Sequence, residues 1–153
     1  MDYIKKGGAM PRFLVVDDSS SARRFLQGIL TPLGECDMAA SGMEAVLSVA
    51  RAMEDGWRYD AIFMDIMMPE VDGLTACRKI REMEAAAGLD FCDISRIVVI
   101  SCLSDSGHVL DAQFESGADV YLTKPVEVGA VQEVLRNLGL SGEQLIGMDG
   151  EEF

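Results

Sequence analysis

Five side chains that could do chemistry sit where apolar runs stop. Asp17 and Asp18 follow Phe13–Val16, Asp65 follows Ala61–Met64, Ser101 follows Ile97–Ile100, and Lys124 stands between "VYLT" and Pro125. An acid at the end of a buried strand is costly unless something uses it. If the runs are strands of one sheet, three carboxylates, a hydroxyl and an amine share one edge. At about 4 Å and an effective dielectric near 20, each carboxylate pair repels by about 4 kcal/mol. Either their pKa values rise or a cation sits among them. Oxygen donors suit a hard ion, and Mg²⁺ characteristically takes few protein ligands and keeps places for water and phosphate oxygens. A cation, an amine and a hydroxyl around one carboxylate suit a phosphoryl group. Asp65 is then the candidate nucleophile, forming an acyl-phosphate, with Lys124 and the ion bearing charge on the transferring oxygens.

The elements that must position these groups alternate along the chain. Strands are expected at 12–18, 36–40, 60–65, 96–101 and 118–125, the first rich in Val and Leu as a strand buried on both faces should be. Helical stripes follow each. Ala22, Phe25, Leu26, Ile29, Leu30 and Leu33 form the first, after caps offered by Ser19–Ser21 and before a stop at Gly34. Ser41 and Glu44 spell a capping box for the second, closed at Gly56. Helices are also expected over 74–86, 105–117 and 126–139, with Leu74, Cys77, Ile80 and Met83 inward on the third. Such alternation implies right-handed crossovers onto a parallel sheet covered on both faces, with ligands at the carboxyl ends of the strands. Pro69 and Gly73 mark the "MMPEVDG" stretch as a turn, Gly73 allowing close backbone approach.

Composition sets the outer bounds. The 153 residues have room for one domain with a core of its own, and carry 26 acidic against 13 basic side chains, a formal charge of −13. Nucleic-acid binding needs clustered Lys and Arg, so it is not expected. No apolar run is long enough to cross a membrane. Cys36, Cys77, Cys92 and Cys102 form no CxxC, and with the one histidine, His108, make no familiar zinc spacing. Reduced thiols in a cytoplasmic protein are the expectation. Residues 1–10 read as an extension, 11–139 as the domain and 140–153 as an acidic tail. Trp57 and Phe91 are expected to anchor loops.

Taken in order, "LVVDDSSSARRFL", "AIFMDIMMPEVDGL", "VVIS" and "YLTKP" resemble the receiver domain of two-component response regulators, over about residues 12–138. The resemblance implies a flavodoxin-like doubly wound sheet of order 2-1-3-4-5 with five helices. It implies Asp65 as phosphoacceptor, with Asp17, Asp18, Asp65 and the backbone carbonyl of Met67 as Mg²⁺ ligands. It also implies Ser101 as switch hydroxyl, Lys124 as phosphate-binding lysine, Tyr121 as switch aromatic and a cis Lys124–Pro125 bond. Cys102 stands where the family commonly has alanine, and its backbone N–H still suits a phosphate oxygen. Met67 and Leu103 are apolar where the family flanks the path of hydrolytic water, so a long-lived phosphorylated state is expected. The implied partners are a sensor histidine kinase or a histidine phosphotransfer protein, and a downstream protein. The latter would bind the face of the 105–117 helix, the fifth strand and the last helix, which Ser101 and Tyr121 would alter. A Mg²⁺-dependent aspartyl-phosphate phosphohydrolase is the alternative, weakened because Asp65-Ile66-Met67 lacks a second acid two residues on.

Overall fold

The computed structural model describes residues 10–66, 73–102 and 117–140. Five strands, β1 (Arg12–Val16), β2 (Glu35–Ala39), β3 (Ala61–Asp65), β4 (Arg96–Cys102) and β5 (Val120–Lys124), form one sheet of order β2-β1-β3-β4-β5. All four pairings are parallel. The described helices are α1 (Ser20–Leu30), α2 (Gly42–Glu54), α3 (Gly73–Ala86) and α4 (Val128–Asn137). The doubly wound, flavodoxin-like sheet is thus as expected. The helix expected over 105–117 lies outside the described residues except for Gly117.

The period of two along each strand divides the core. Leu14, Val16, Ile62, Met64, Ile97 and Val99 face α2 and α3 and pack with Ala45, Val49, Ala76, Cys77 and Ile80. Phe13, Val15, Phe63, Val98 and Ile100 face α1 and α4 and pack with Leu26, Leu30, Val131, Val134 and Leu135. Both faces are therefore covered, which is why β1 and β3 read as near-continuous apolar runs.

Boundaries shift where backbone donors decide them. Helix α1 ends at Leu30 rather than running on toward Gly34, because Pro32 has no N–H to continue the ladder. Phe25, expected on its inward stripe, is exposed. At α2 the Ser41 hydroxyl accepts from Glu44 N–H, as a capping box requires, but the Glu44 carboxylate reaches back to Ala40 N–H, not to Ser41's own. Helix α4 starts at Val128, two residues later than expected, after the Pro125 turn.

On α3 Met83 packs, partly buried, against the core as expected, and Glu84 beside it is buried as well. The Glu84 carboxylate accepts from Arg81 Nη1 at 2.7 Å and from Ser95 N–H at 2.9 Å. Arg81 also binds Asp119 and the carbonyls of Gly117 and Ser95. This buried acid was not expected because a glutamate in a charged stretch reads as solvated; the Ser95 N–H that meets it comes from beyond the helix. Trp57 does anchor its loop, lying under the Arg12 guanidinium and edge-on to Tyr59. Phe91 does not: it is 69% exposed, with Arg96 stacked over its ring.

Candidate functional site

The carboxyl ends of β1, β3, β4 and β5 converge on one crevice. At the end of β1 the chain leaves the sheet after Val16, and Asp17 is held by three of its own groups. Its N–H donates to Ala39 O, its carboxylate Oδ1 accepts from Ser19 N–H at 2.9 Å, and its carbonyl accepts from Arg23 Nη1 at 2.7 Å. Ser19 also caps α1, its hydroxyl accepting from Ala22 N–H. Asp17 is therefore buried while Asp18, next along the turn, is exposed.

Asp65 ends β3, beside Ile100 of β4, and is 1% exposed. Lys124 Nζ, from the end of β5, reaches its Oδ2 at 3.3 Å. One carboxylate oxygen from each of Asp17, Asp18 and Asp65 lies within 4.8 Å of the others. An all-oxygen set at that spacing, with one exposed member, fits a hard divalent cation that keeps part of its water shell. Burial, and next to it the Asp65 carboxylate, push the Asp17 carboxyl up to about 6, against the lowering effects of Ser19 N–H and Lys124. A cation among the three would remove that penalty.

Ser101 is fully buried and donates from its hydroxyl to the Tyr121 hydroxyl at 3.3 Å. The Tyr121 ring is partly buried against the cluster that contains Val99. The expected switch hydroxyl and switch aromatic are thus already in contact. The Lys124–Pro125 peptide is cis. Cys102 pairs in register with Lys124 at the end of β4. Met67, Pro69, Leu103 and His108 lie outside the described residues. Burial pushes the Cys36 thiol up to about 11, so it stays protonated at neutral pH.

Gly73 opens α3 against the end of β3. A Cβ there would stand 2.5 Å from the Asp65 carbonyl oxygen and 2.8 Å from Ile66 Cα, both main-chain atoms that cannot swing aside. Gly73→Ala is expected to destabilise the protein by roughly 1–3 kcal/mol through overpacking. It is also expected to shift Asp65. A urea unfolding midpoint equal to that of the wild type would refute the close approach.

Residue pattern alone missed Arg23 and the Ser19 N–H. The first is an arginine one turn into a helix, which reads as solvated; the second is main chain and carries no side-chain signal.

A parallel 2-1-3-4-5 sheet with acids gathered at its carboxyl edge defines a flavodoxin-like α/β domain. The family model described as "Response regulator receiver domain" matches residues 13–136, and the chain belongs to that family. It is 31% identical over 124 residues to the chemotaxis protein CheY of Bacillus subtilis, covering 81% of this chain and 93% of that one. It is also 31% identical over 138 residues to hybrid signal transduction histidine kinase L of Dictyostelium discoideum, 89% of this chain but 8% of the kinase. Among solved structures it is similar to the receiver domain of the Saccharomyces cerevisiae response regulator Ssk1, co-crystallised with the histidine phosphotransfer signaling protein Ypd1. There the TM-score is 0.73 at 27% identity, over 88% of this chain and 92% of that chain. The chain is thus a receiver domain of two-component signalling. Among the described residues no helix is long and apolar enough to cross a membrane.

Proposed function

We propose that this receiver takes a phosphoryl group onto Asp65 from a phosphohistidine on a sensor kinase or phosphotransfer protein, and passes the signal by protein contact. The observation that carries the reading is the meeting of Asp17, Asp18 and Asp65 within 4.8 Å, with Lys124 on Asp65. An Asp65 oxygen attacks phosphorus, a new O–P bond forms, the N–P bond to the donor imidazole breaks, and its electron pair returns to the nitrogen. Lys124, already at Oδ2, stays on the phosphoryl oxygens as the carboxylate charge moves outward. Asp17, Asp18, Asp65 and the Met67 carbonyl would hold Mg²⁺, which when bound offsets the negative charge gathered on the reacting oxygens.

Phosphorylation adds roughly −1.5 to −2 charges and three acceptor oxygens. Ser101 has one hydroxyl proton, given to Tyr121 in this structure. Donated to a phosphoryl oxygen instead, with Cys102 N–H beside it, that proton leaves Tyr121 without its partner. The ring is then free to repack beside β5, altering the surface to be read by a downstream protein.

The test is exposure to acetyl phosphate or beryllofluoride with Mg²⁺. One adduct per chain, lost when EDTA is present from the start, is the expected result. Repeated turnover of a phosphomonoester with no stable adduct would instead favour a phosphohydrolase.

A further inference from the structure

The Arg23 side chain does something the proposed chemistry does not yet use. It projects from the first turn of α1, and its Nη1 donates at 2.7 Å to the carbonyl of Asp17. Arg23 N–H meanwhile makes the first bond of that turn, to Ser19 O. Residues 17–23 therefore form a closed loop, tied main chain to main chain by the helix and side chain to main chain by the guanidinium. Asp17 and Asp18 both lie in it. The last sheet rungs of β1 are Val16 with Ala39 and with Met64. The Asp17 carbonyl is one residue beyond them, and the guanidinium supplies its partner. Three carboxylates crowded without a cation push one another apart, and this loop is the part free to yield, because Asp65 sits within the sheet between β1 and β4.

We infer that Arg23 is a positioning residue for the cation site: its guanidinium, hydrogen-bonded to the Asp17 carbonyl, clamps the β1–α1 loop so that Asp17 and Asp18 are already placed for a divalent ion. The inference rests on the proposed role of Asp17 and Asp18 as ligands. Groups that hold ligands in place, without touching the metal, commonly contribute about 10- to 100-fold to affinity. What singles out a clamp is the sign of the effect. Arg23 is a cation near a cation site, so by Coulomb repulsion alone its removal should tighten Mg²⁺ binding. A clamp predicts the reverse.

Isothermal titration of Mg²⁺ into the full chain decides between them. Arg23→Met is expected to weaken Mg²⁺ binding about tenfold. Arg23→Lys, which keeps a charge and a donor but not the planar fork, is expected to recover part of the loss. Arg24→Met removes the same charge from the exposed neighbouring residue and is expected to leave binding within about twofold of the wild type. Circular dichroism establishes that each variant is folded; if Arg23→Met is not, Arg23→Lys alone serves, with a loss of about threefold expected. Either folded Arg23 variant binding Mg²⁺ as tightly as the wild type, or more tightly, overturns the clamp while leaving the phosphoacceptor reading intact. Wild-type protein that takes up no Mg²⁺ overturns both.

Discussion

Asp65→Asn is expected to abolish phosphoryl uptake while leaving the fold in place. The substitution is nearly isosteric. The side chain is 2% exposed, so little solvation changes with it, and the amide oxygen can still accept from Lys124 Nζ. What is lost is the carboxylate as nucleophile: an amide oxygen has its electron pair drawn into the C–N bond, and attack on phosphorus would leave an unstable charged imidate. Intact-mass measurement after incubation with acetyl phosphate and Mg²⁺ should show one adduct on the wild type and none on Asp65→Asn. An adduct of equal yield on the variant would move the acceptor elsewhere. A loss accompanied by unfolding would show in the far-ultraviolet spectrum, and Lys124→Ala then provides a second route. Without the ammonium near the transferring oxygens, phosphorylation should slow by about 10²-fold, the scale of removing one preorganised charge donor.

Much of this site could be read from the order of the residues, for a physical reason. In a parallel sheet every strand points the same way, so the residue that ends each apolar run must lie at the same edge. Asp17, Asp65, Ser101 and Lys124 follow from that rule with no knowledge of tertiary contacts, and the structure places them together. Gly73 was legible too, since a glycine after a proline turn announces a main-chain approach. Features decided by how elements pack on one another were not legible. Glu84 lies in a stretch, "KIREMEAAAG", that reads as a solvated charged face. It is buried because Arg81 and the Ser95 N–H meet it there. Arg23 was hidden differently. Its bond is local, but the acceptor is a carbonyl, and every residue has one. The Ser101–Tyr121 contact required the β4–β5 register, which puts Tyr121 opposite Val99, two residues from Ser101 on the same face of the sheet.

The acidic crevice carries a stability cost that Asp17→Asn should reveal. The Asp17 carboxyl is raised from 3.8 to about 6, chiefly by burial, so the folded protein holds its proton more tightly than the unfolded chain does. Between about pH 4 and pH 6 the folded state thus binds more protons, and this group's contribution to stability falls as pH rises. Above about pH 6 the contribution levels off as a penalty of up to about 3 kcal/mol, at 1.36 kcal/mol for each pH unit of displacement. An asparagine in the same place is never charged. Its oxygen can still accept from Ser19 N–H. In EDTA at pH 7.5, Asp17→Asn is expected to unfold roughly 5–10 °C above the wild type, taking about 2–4 °C per kcal/mol for a domain of this size. At pH 4 the gap should close, because the wild-type carboxyl is then protonated in the folded protein. Mg²⁺ should invert the order at neutral pH: it raises the wild-type midpoint by binding only the folded state and leaves the variant nearly unmoved. Protons compete for the same oxygen, so Mg²⁺ affinity should decline below about pH 6, by at most tenfold per pH unit for this one group. Calorimetric scans across that grid of pH and Mg²⁺ provide the check. A variant no more stable than the wild type in EDTA at pH 7.5 would show that Asp17 carries no penalty as a buried charge, removing one physical reason for a cation beside it.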